Sequence, residues 1–233
     1  MMATLVVAWT LAAAAPPKPP QVVFEQTATT TVNGKSPATV KSRVSWSGRK
    51  IRLESGDAFE PLVLLLDLDE QRAYRLDIAA RTAVMLDLDG LRSRSHIGFA
   101  LAGDALNAAE PESFRTQALS GERTVAGQLC RGYRIRNGQT QLDVWVSDQL
   151  PIGMDAFAEF LEWSGADQSL AGLVPEVRQL EGFPLETRSR TVVDGRVYET
   201  RAVVTSVKVG PLDPALFEVP PAFKLESEPA AEP

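Results

Sequence analysis

Few residues in this chain have side chains suited to chemistry. One cysteine, Cys130, and one histidine, His96, stand among 233 residues. Cys130 lies in GERTVAGQLCRGYRIRNG (121–138). Strand alternation there puts Cys130, Gly132 and Arg134 on one face, and Leu129, Arg131, Tyr133 and Ile135 on the other. A thiol on a strand behaves as a small buried hydrophobe unless a base or second thiol activates it. The flanking arginines lower its pKa only if it is exposed. His96 sits in a Gly/Ser/Arg-rich segment, no G-x-S-x-G elbow accompanies it, and it reads as a loop histidine. One histidine and one cysteine do not supply the ligands of a zinc site. No Walker loop or dinucleotide fingerprint occurs, so no cofactor and no metal are expected.

Two acidic pairs need separate treatment. VLLLDLDE, with Asp67 and Asp69, and VMLDLDGL, with Asp87 and Asp89, resemble the first motif of haloacid-dehalogenase-type phosphatases, an apolar strand ending in Asp-x-Asp-Gly-Thr. Leu91 stands where that motif has Thr, and the Asp67 pair lacks the glycine as well. Aspartates also end strands because they form turns, and that is the reading adopted here. Arg81, Arg92 and Arg94 form a modest basic cluster that reads as a solvated loop, with an anionic headgroup as the alternative occupant. The chain is read as no enzyme.

The net charge of −6 and the lack of a basic stripe in the sequence argue against nucleic acid as a partner. MMATLVVAWTLAAAAPPKPP opens the chain. Leu5–Leu11 is too short an apolar run to span a bilayer and ends in small residues, with Ala12 and Ala14 at the spacing of a signal-peptidase site. Residues 1–14 are therefore expected to be a signal peptide and 15–21 a stiff Pro-rich linker. A domain is expected over 22–225 and a disordered acidic tail over 226–233. No cysteine stands directly after the cleavage site, so the expected product is a soluble, unlipidated protein, periplasmic or secreted from a bacterium, and a monomer.

Short strands dominate the pattern. VVFEQTATTTV leads through Asn33-Gly34, a hairpin signal, into ATVKSRVSWS, which places Val40, Val44 and Trp46 on one face. Ile51 and Leu53 point inward on the next strand. PLVLLLDLD, with Leu64, is apolar on both faces and calls for cover on each. AYRLDIA puts Tyr74, Leu76 and Ile78 on one side, and TAVMLDL completes a meander of about six strands. Residues 89–113 read as an irregular excursion with a short helix near 100–106. Strands resume through RTVAG (123–127), LCRGYRI and TQLDVWVS, with Asn137-Gly138 as another hairpin turn. A helix is predicted over 154–163, with Asp155, Glu159 and Glu162 as a narrow acidic stripe and Met154, Phe157, Phe160, Leu161 and Trp163 around the rest. A second short helix carries Leu170, Leu173 and Val174. Two strands joined through Asp194-Gly195 end the pattern. The class is α+β, because strands run in blocks rather than alternating with helices.

GERTVAGQLCRGYRI, GFPLETRSR and VGPLDPALFEVPPAF together resemble the DUF4412-type periplasmic proteins, relatives of the lipoprotein carriers LolA and LolB. The resemblance covers roughly 22–225. It rests on a Gly-x-x-Tyr-type strand meeting a later strand with Trp145, a helical insert, and an ending built from Leu212, Asp213, Pro214, Phe217, Pro220 and Phe223. It implies a strongly curved antiparallel sheet, a half-open barrel, with a helical lid inserted before the last strands. In the carriers the concave space shelters lipoprotein acyl chains. The expected ligand is thus an apolar small molecule, a lipid or a lipoprotein acyl chain. It would lie against Trp46, Leu64, Tyr74, Met154, Phe157, Phe160, Leu161 and Trp163. The alternative is a structural or interaction domain of the envelope with a filled core and no ligand.

Overall fold

The computed structural model describes residues 19–56, 62–86, 114–138, 140–163, 173–193 and 195–227. The expected signal peptide, the excursion 89–113 with His96, Arg92 and Arg94, the Asp87/Asp89 pair and Leu170 lie outside them.

Twelve strands form one sheet in the order β12-β6-β5-β4-β3-β2-β1-β11-β10-β9-β8-β7. The N-terminal meander runs β1 (Gln21–Val32), β2 (Lys35–Ser47), β3 (Lys50–Gly56), β4 (Leu62–Asp67), β5 (Arg72–Asp77) and β6 (Thr82–Leu86). The second block is β7 (Arg115–Val125), β8 (Gln128–Arg136) and β9 (Thr140–Ser147). Then come helices α1 (Met154–Trp163) and α2 (Val174–Arg178), and strands β10 (Phe183–Val193) and β11 (Arg196–Val209). Pairing of β1 with β11 joins the two blocks. The first hairpin follows from its sequence: Asn33 and Gly34 both take positive φ, 52° and 69°, the turn whose twist matches the flanking strands.

The sheet is open, and it is strongly curled. β7 and β11 are four strand spacings apart in the order, about 19 Å in a flat sheet, yet their backbones approach within 8 Å. Side-chain alternation then separates two faces, carried from strand to strand by the register. Val22, Phe24, Val44, Trp46, Ile51, Leu53, Leu64 and Leu66 share the inner face with α1 and α2, in a single buried cluster.

β4 is covered on both sides, as its unbroken apolar run requires. Its outer residues Val63 and Leu65 join Leu76 and Ala83 in a second cluster, and Tyr74, Val219 and Phe223 pack on it. The last two come from the chain's ending, which crosses the outer face. Asp213 accepts a hydrogen bond from the Ala215 N–H at 3.0 Å and starts a 3-10 turn, Pro214–Phe217. Arg52 donates to the Leu216 carbonyl at 3.2 Å. The Leu-Asp-Pro-x-x-Phe-x-x-Pro pattern is therefore the outer cover of the meander.

Glu226 and Ser227, which the sequence reading put in the tail, are paired with β6. Lys224–Ser227 forms β12, parallel to β6. Sequence pattern hides this strand because its acidic, polar residues pair through backbone alone, on an edge that β6 leaves open. β7 is also longer than the sequence indicated, starting at Arg115, with a register shift between Ala118 and Glu122. Ile78 falls in the turn after β5 and is exposed.

Cys130, Gly132 and Arg134 do share the outer face of β8. Opposite Gly132 in the register is Trp145, and a Cβ on Gly132 would lie 2.7 Å from its ring. Arg123 caps the other side of that ring at 3.6 Å from the centroid. Trp145 is thus clamped between a glycine and a guanidinium. Gly132→Ala is expected to cost about 1–3 kcal/mol by overpacking, read as a lower Tm and altered near-ultraviolet dichroism. Parent-like melting would contradict the clamp.

Candidate functional site

The site begins with the insert between β9 and β10. Gly153 ends the preceding loop, and Met, Ala, Phe, Glu and Leu carry the chain through α1 with no β-branched residue. Asp155 lies in its first turn, where a negative charge complements the helix dipole. Met154, Phe157, Ala158 and Leu161 fall at i, i+3, i+4 and i+7, and with Phe160 they are buried. α2 adds Val174 and Val177.

These side chains meet a group of rings on the sheet. Phe183 of β10 packs at 5.4 Å from Phe24, 5.9 Å from Trp46 and 5.9 Å from Phe157. Trp46 meets Phe160 edge-on at 6.1 Å, and its indole N–H donates to the Gly48 carbonyl at 2.9 Å. Tilted and edge-to-face arrangements are those favoured by the ring quadrupole. A cavity of about 20 Å³ remains, lined by Leu142, Val144, Met154, Phe157, Leu161, Val177 and Thr187. That volume fits one water and no acyl chain.

Of the residues expected at the site, Trp46, Leu64, Met154, Phe157, Phe160 and Leu161 belong to one cluster. Tyr74 does not. It lies on the outer face with Leu65, its register partner, and Phe223. The alternation of β5 was legible, but its phase relative to β2 requires the register. Trp163 is the last residue of α1, and its side chain is outside the described residues, as is that of Glu162. The residues that sequence reasoning missed are Phe24 and Phe183. Phe24 alternates with Val22 on β1, and Phe183 opens β10, so an inward-facing count on those strands would have found them.

Polar tethers hold the helices at the rim. Arg49, in the β2–β3 turn, pairs with Glu159 of α1 at 2.6 Å and with Asp69 at 2.6 Å. On α2, Glu176 accepts a hydrogen bond from the Thr116 hydroxyl of β7. These groups are exposed, so the tethers are weak in water.

The groups with chemical potential are used structurally. Cys130 is fully buried, and burial pushes its thiol up, away from thiolate character. Burial would also raise Asp67, but the backbone N–H groups of Glu70 and Asp69 and the Lys50 ammonium outweigh it and hold the carboxyl below its usual value. It closes the β4–β5 turn. No three His, Cys, Asp or Glu side chains converge as a metal site among the described residues. No helix among them is long and apolar enough to cross a membrane.

Residues 78–223, well over half of the chain, match a domain of unknown function, DUF4412. The chain belongs to the DUF4412 family. No curated protein matches its sequence. The DUF4412 chain is similar to solved structures at low identity. PNGF-II is 15% identical over 90% of this chain and 31% of that one, with a TM-score of 0.40. A LolA superfamily protein from Nitrosomonas europaea is 10% identical over 87% and 91%, with a TM-score of 0.36. A putative outer membrane lipoprotein-sorting protein domain from Vibrio parahaemolyticus is 11% identical over 84% and 88%, with a TM-score of 0.34. The DUF4412 chain spans about a third of the length of PNGF-II.

On the outer face Glu186 is 3% exposed and pairs with Arg123 at 2.8 Å, Arg201 at 3.0 Å and Arg188 at 3.1 Å. Burial alone would raise its pKa; the Arg123 and Arg201 guanidinium groups outweigh that and lower it below 4.5. A carboxyl with a depressed folded pKa stabilises above the unfolded value, and that stability is lost as pH falls through the folded one. Glu186→Gln should therefore cost about 1–3 kcal/mol at pH 7, a difference that shrinks as melts are taken below pH 4.5. Parent and variant curves that stay parallel down the acid range would contradict this role.

Proposed function

We propose that this protein is an exported binding protein that shelters an apolar ligand, such as an acyl group, between the inner face of the sheet and α1. It acts by binding and not by catalysis. The observation that carries the reading is how α1 is held. Four large apolar side chains of a short insert fill the inner face, while its polar attachments sit at the solvent-exposed rim. A cover built this way can lift without unpairing a strand. The apolar ligand then replaces the helix's own side chains against Trp46, Phe24 and Phe183. In this reading the closed arrangement is the ligand-free state, with the cavity collapsed because apolar surface avoids water. Residues 1–14 are the export signal, which places the protein in the periplasm or outside the cell.

A second reading is a structural or interaction domain with a filled core. The 20 Å³ cavity favours it.

The two readings separate on a hydrocarbon probe such as diphenylhexatriene. In the carrier reading, binding requires the open state, and apparent affinity scales with its population. Arg49→Ala releases the Glu159 tether and should tighten probe binding a few-fold while leaving the sheet folded. No probe binding by parent or variant overturns the carrier reading and leaves the filled core.

A further inference from the structure

The inner face changes character along its length. Near α1 it is apolar. Toward the β1–β2 and β10–β11 hairpins the register aligns Gln26, Thr30, Thr140, Ser189, Thr191 and Thr200 on that face. Five of these six are more than nine-tenths buried, Thr30 being partly so. Thr30 and Thr200 share a hydrogen bond at 3.1 Å, and Thr140 donates to Thr191 at 3.4 Å. Ser189 lies between these pairs, opposite Thr200 on one side and Leu142 on the other. Its hydroxyl is buried and has no hydrogen-bond partner, although the residue is only 7% exposed. Leu142, and Thr187 two residues earlier on the strand, both line the cavity under α1.

An orphaned buried hydroxyl is destabilising unless something satisfies it. The charge pattern limits what that can be. On the inner face the register surrounds Ser189 with uncharged side chains, Thr200 and Leu142 across the two pairings and Thr187 and Thr191 along β10. Inner-facing charges stand farther off, Lys35 and Arg196 at the hairpin ends and Arg75, Asp77, Glu122 and Arg131 on the flanking strands, and Arg131 is occupied by Asp148 at 3.0 Å. A carboxylate or phosphate placed beside Ser189 would be desolvated without a counter-charge. An ester or amide carbonyl would accept the Ser189 O–H with no such penalty.

We propose that the sheltered ligand carries an uncharged hydrogen-bonding group, as in an ester- or amide-linked acyl chain, and that Ser189 anchors it with the chain running under α1. This rests on the carrier reading above and adds the ligand's chemical class and polarity.

The test uses three probes on the full chain: a dansyl-labelled fatty acid, its methyl ester, and diphenylhexatriene, at pH 8 where the acid is ionised. The parent should bind the ester about tenfold or more tightly than the acid, as expected when a charge must be buried unpaired. Ser189→Ala should weaken the ester about five- to tenfold, the worth of one hydrogen bond, and leave diphenylhexatriene unchanged. Ser189→Thr, which keeps the hydroxyl, should restore ester binding. The Tm of Ser189→Ala should equal or exceed the parent's, because an unsatisfied group has been removed. Equal loss of ester and diphenylhexatriene, a preference for the acid, or an unchanged ester affinity each overturns the proposal while the carrier reading stands. A lowered Tm for Ser189→Ala overturns it too, since the hydroxyl then has a structural partner. Absence of diphenylhexatriene binding overturns both.

Discussion

The ring of Phe183 packs at once against Phe24, Trp46 and Phe157, and the rest of the molecule is organised around that contact. Trp46 belongs to the N-terminal meander, Phe183 to the C-terminal strands, and Phe157 to the helix between them. Phe24 sits on β1, the strand that joins the two halves. Rings bury more area per residue than aliphatic side chains and hold few rotamers. One cluster of four therefore fixes how the sheet curls and where α1 rests. The bulges beside it, Thr205 of β11 opposite Glu25 and Gln26, and Leu185 of β10 between Pro184 and Glu186, let β11 and β10 turn around the cluster without losing their pairing.

The two faces of the sheet solve different problems. Charge is concentrated on the outer face and kept away from the centre of the inner one. On the outer face, where most of the charge lies, Glu186 is shared by three arginines, Arg134 holds Asp143 through two hydrogen bonds at 2.6 Å, and the chain's ending shields Val63 and Leu65. The inner face is apolar beneath the helices and hydroxyl-rich beyond them. A solid core needs no buried, unpartnered serine, and an ordinary lid needs no hydroxyl floor. On the proposed reading, a binding surface for an amphiphile accounts for both.

Much of the architecture was legible in the chain. Asn33-Gly34, the alternation of Val44 and Trp46, the two-sided run of β4 and the helix at 154–163 all announced themselves by local periodicity or turn chemistry. The partners of these elements were not legible. Tyr74 was placed with Trp46 because both sit on alternating strands, and only the register through β3 and β4 shows their phases to be opposite. The Ser189 floor is hidden for the same reason: six polar residues spread over four strands look like ordinary strand hydroxyls until pairing aligns them. β12 had no signal because backbone pairing on an edge leaves none in the side chains. The glycine at 132 stood out as a motif letter, and its reason, the indole of Trp145, lies across a strand boundary.

Hydrogen–deuterium exchange resolved by segment tests the central claim, that α1 is a cover separable from the sheet beneath it. Amides of α1 and α2 should exchange through an opening that leaves β1, β2, β10 and β11 protected, and a saturating apolar probe should slow them. If α1 exchanges only with the free energy of global unfolding, and no apolar probe changes that, the helix is an inseparable part of a filled core and the account is wrong.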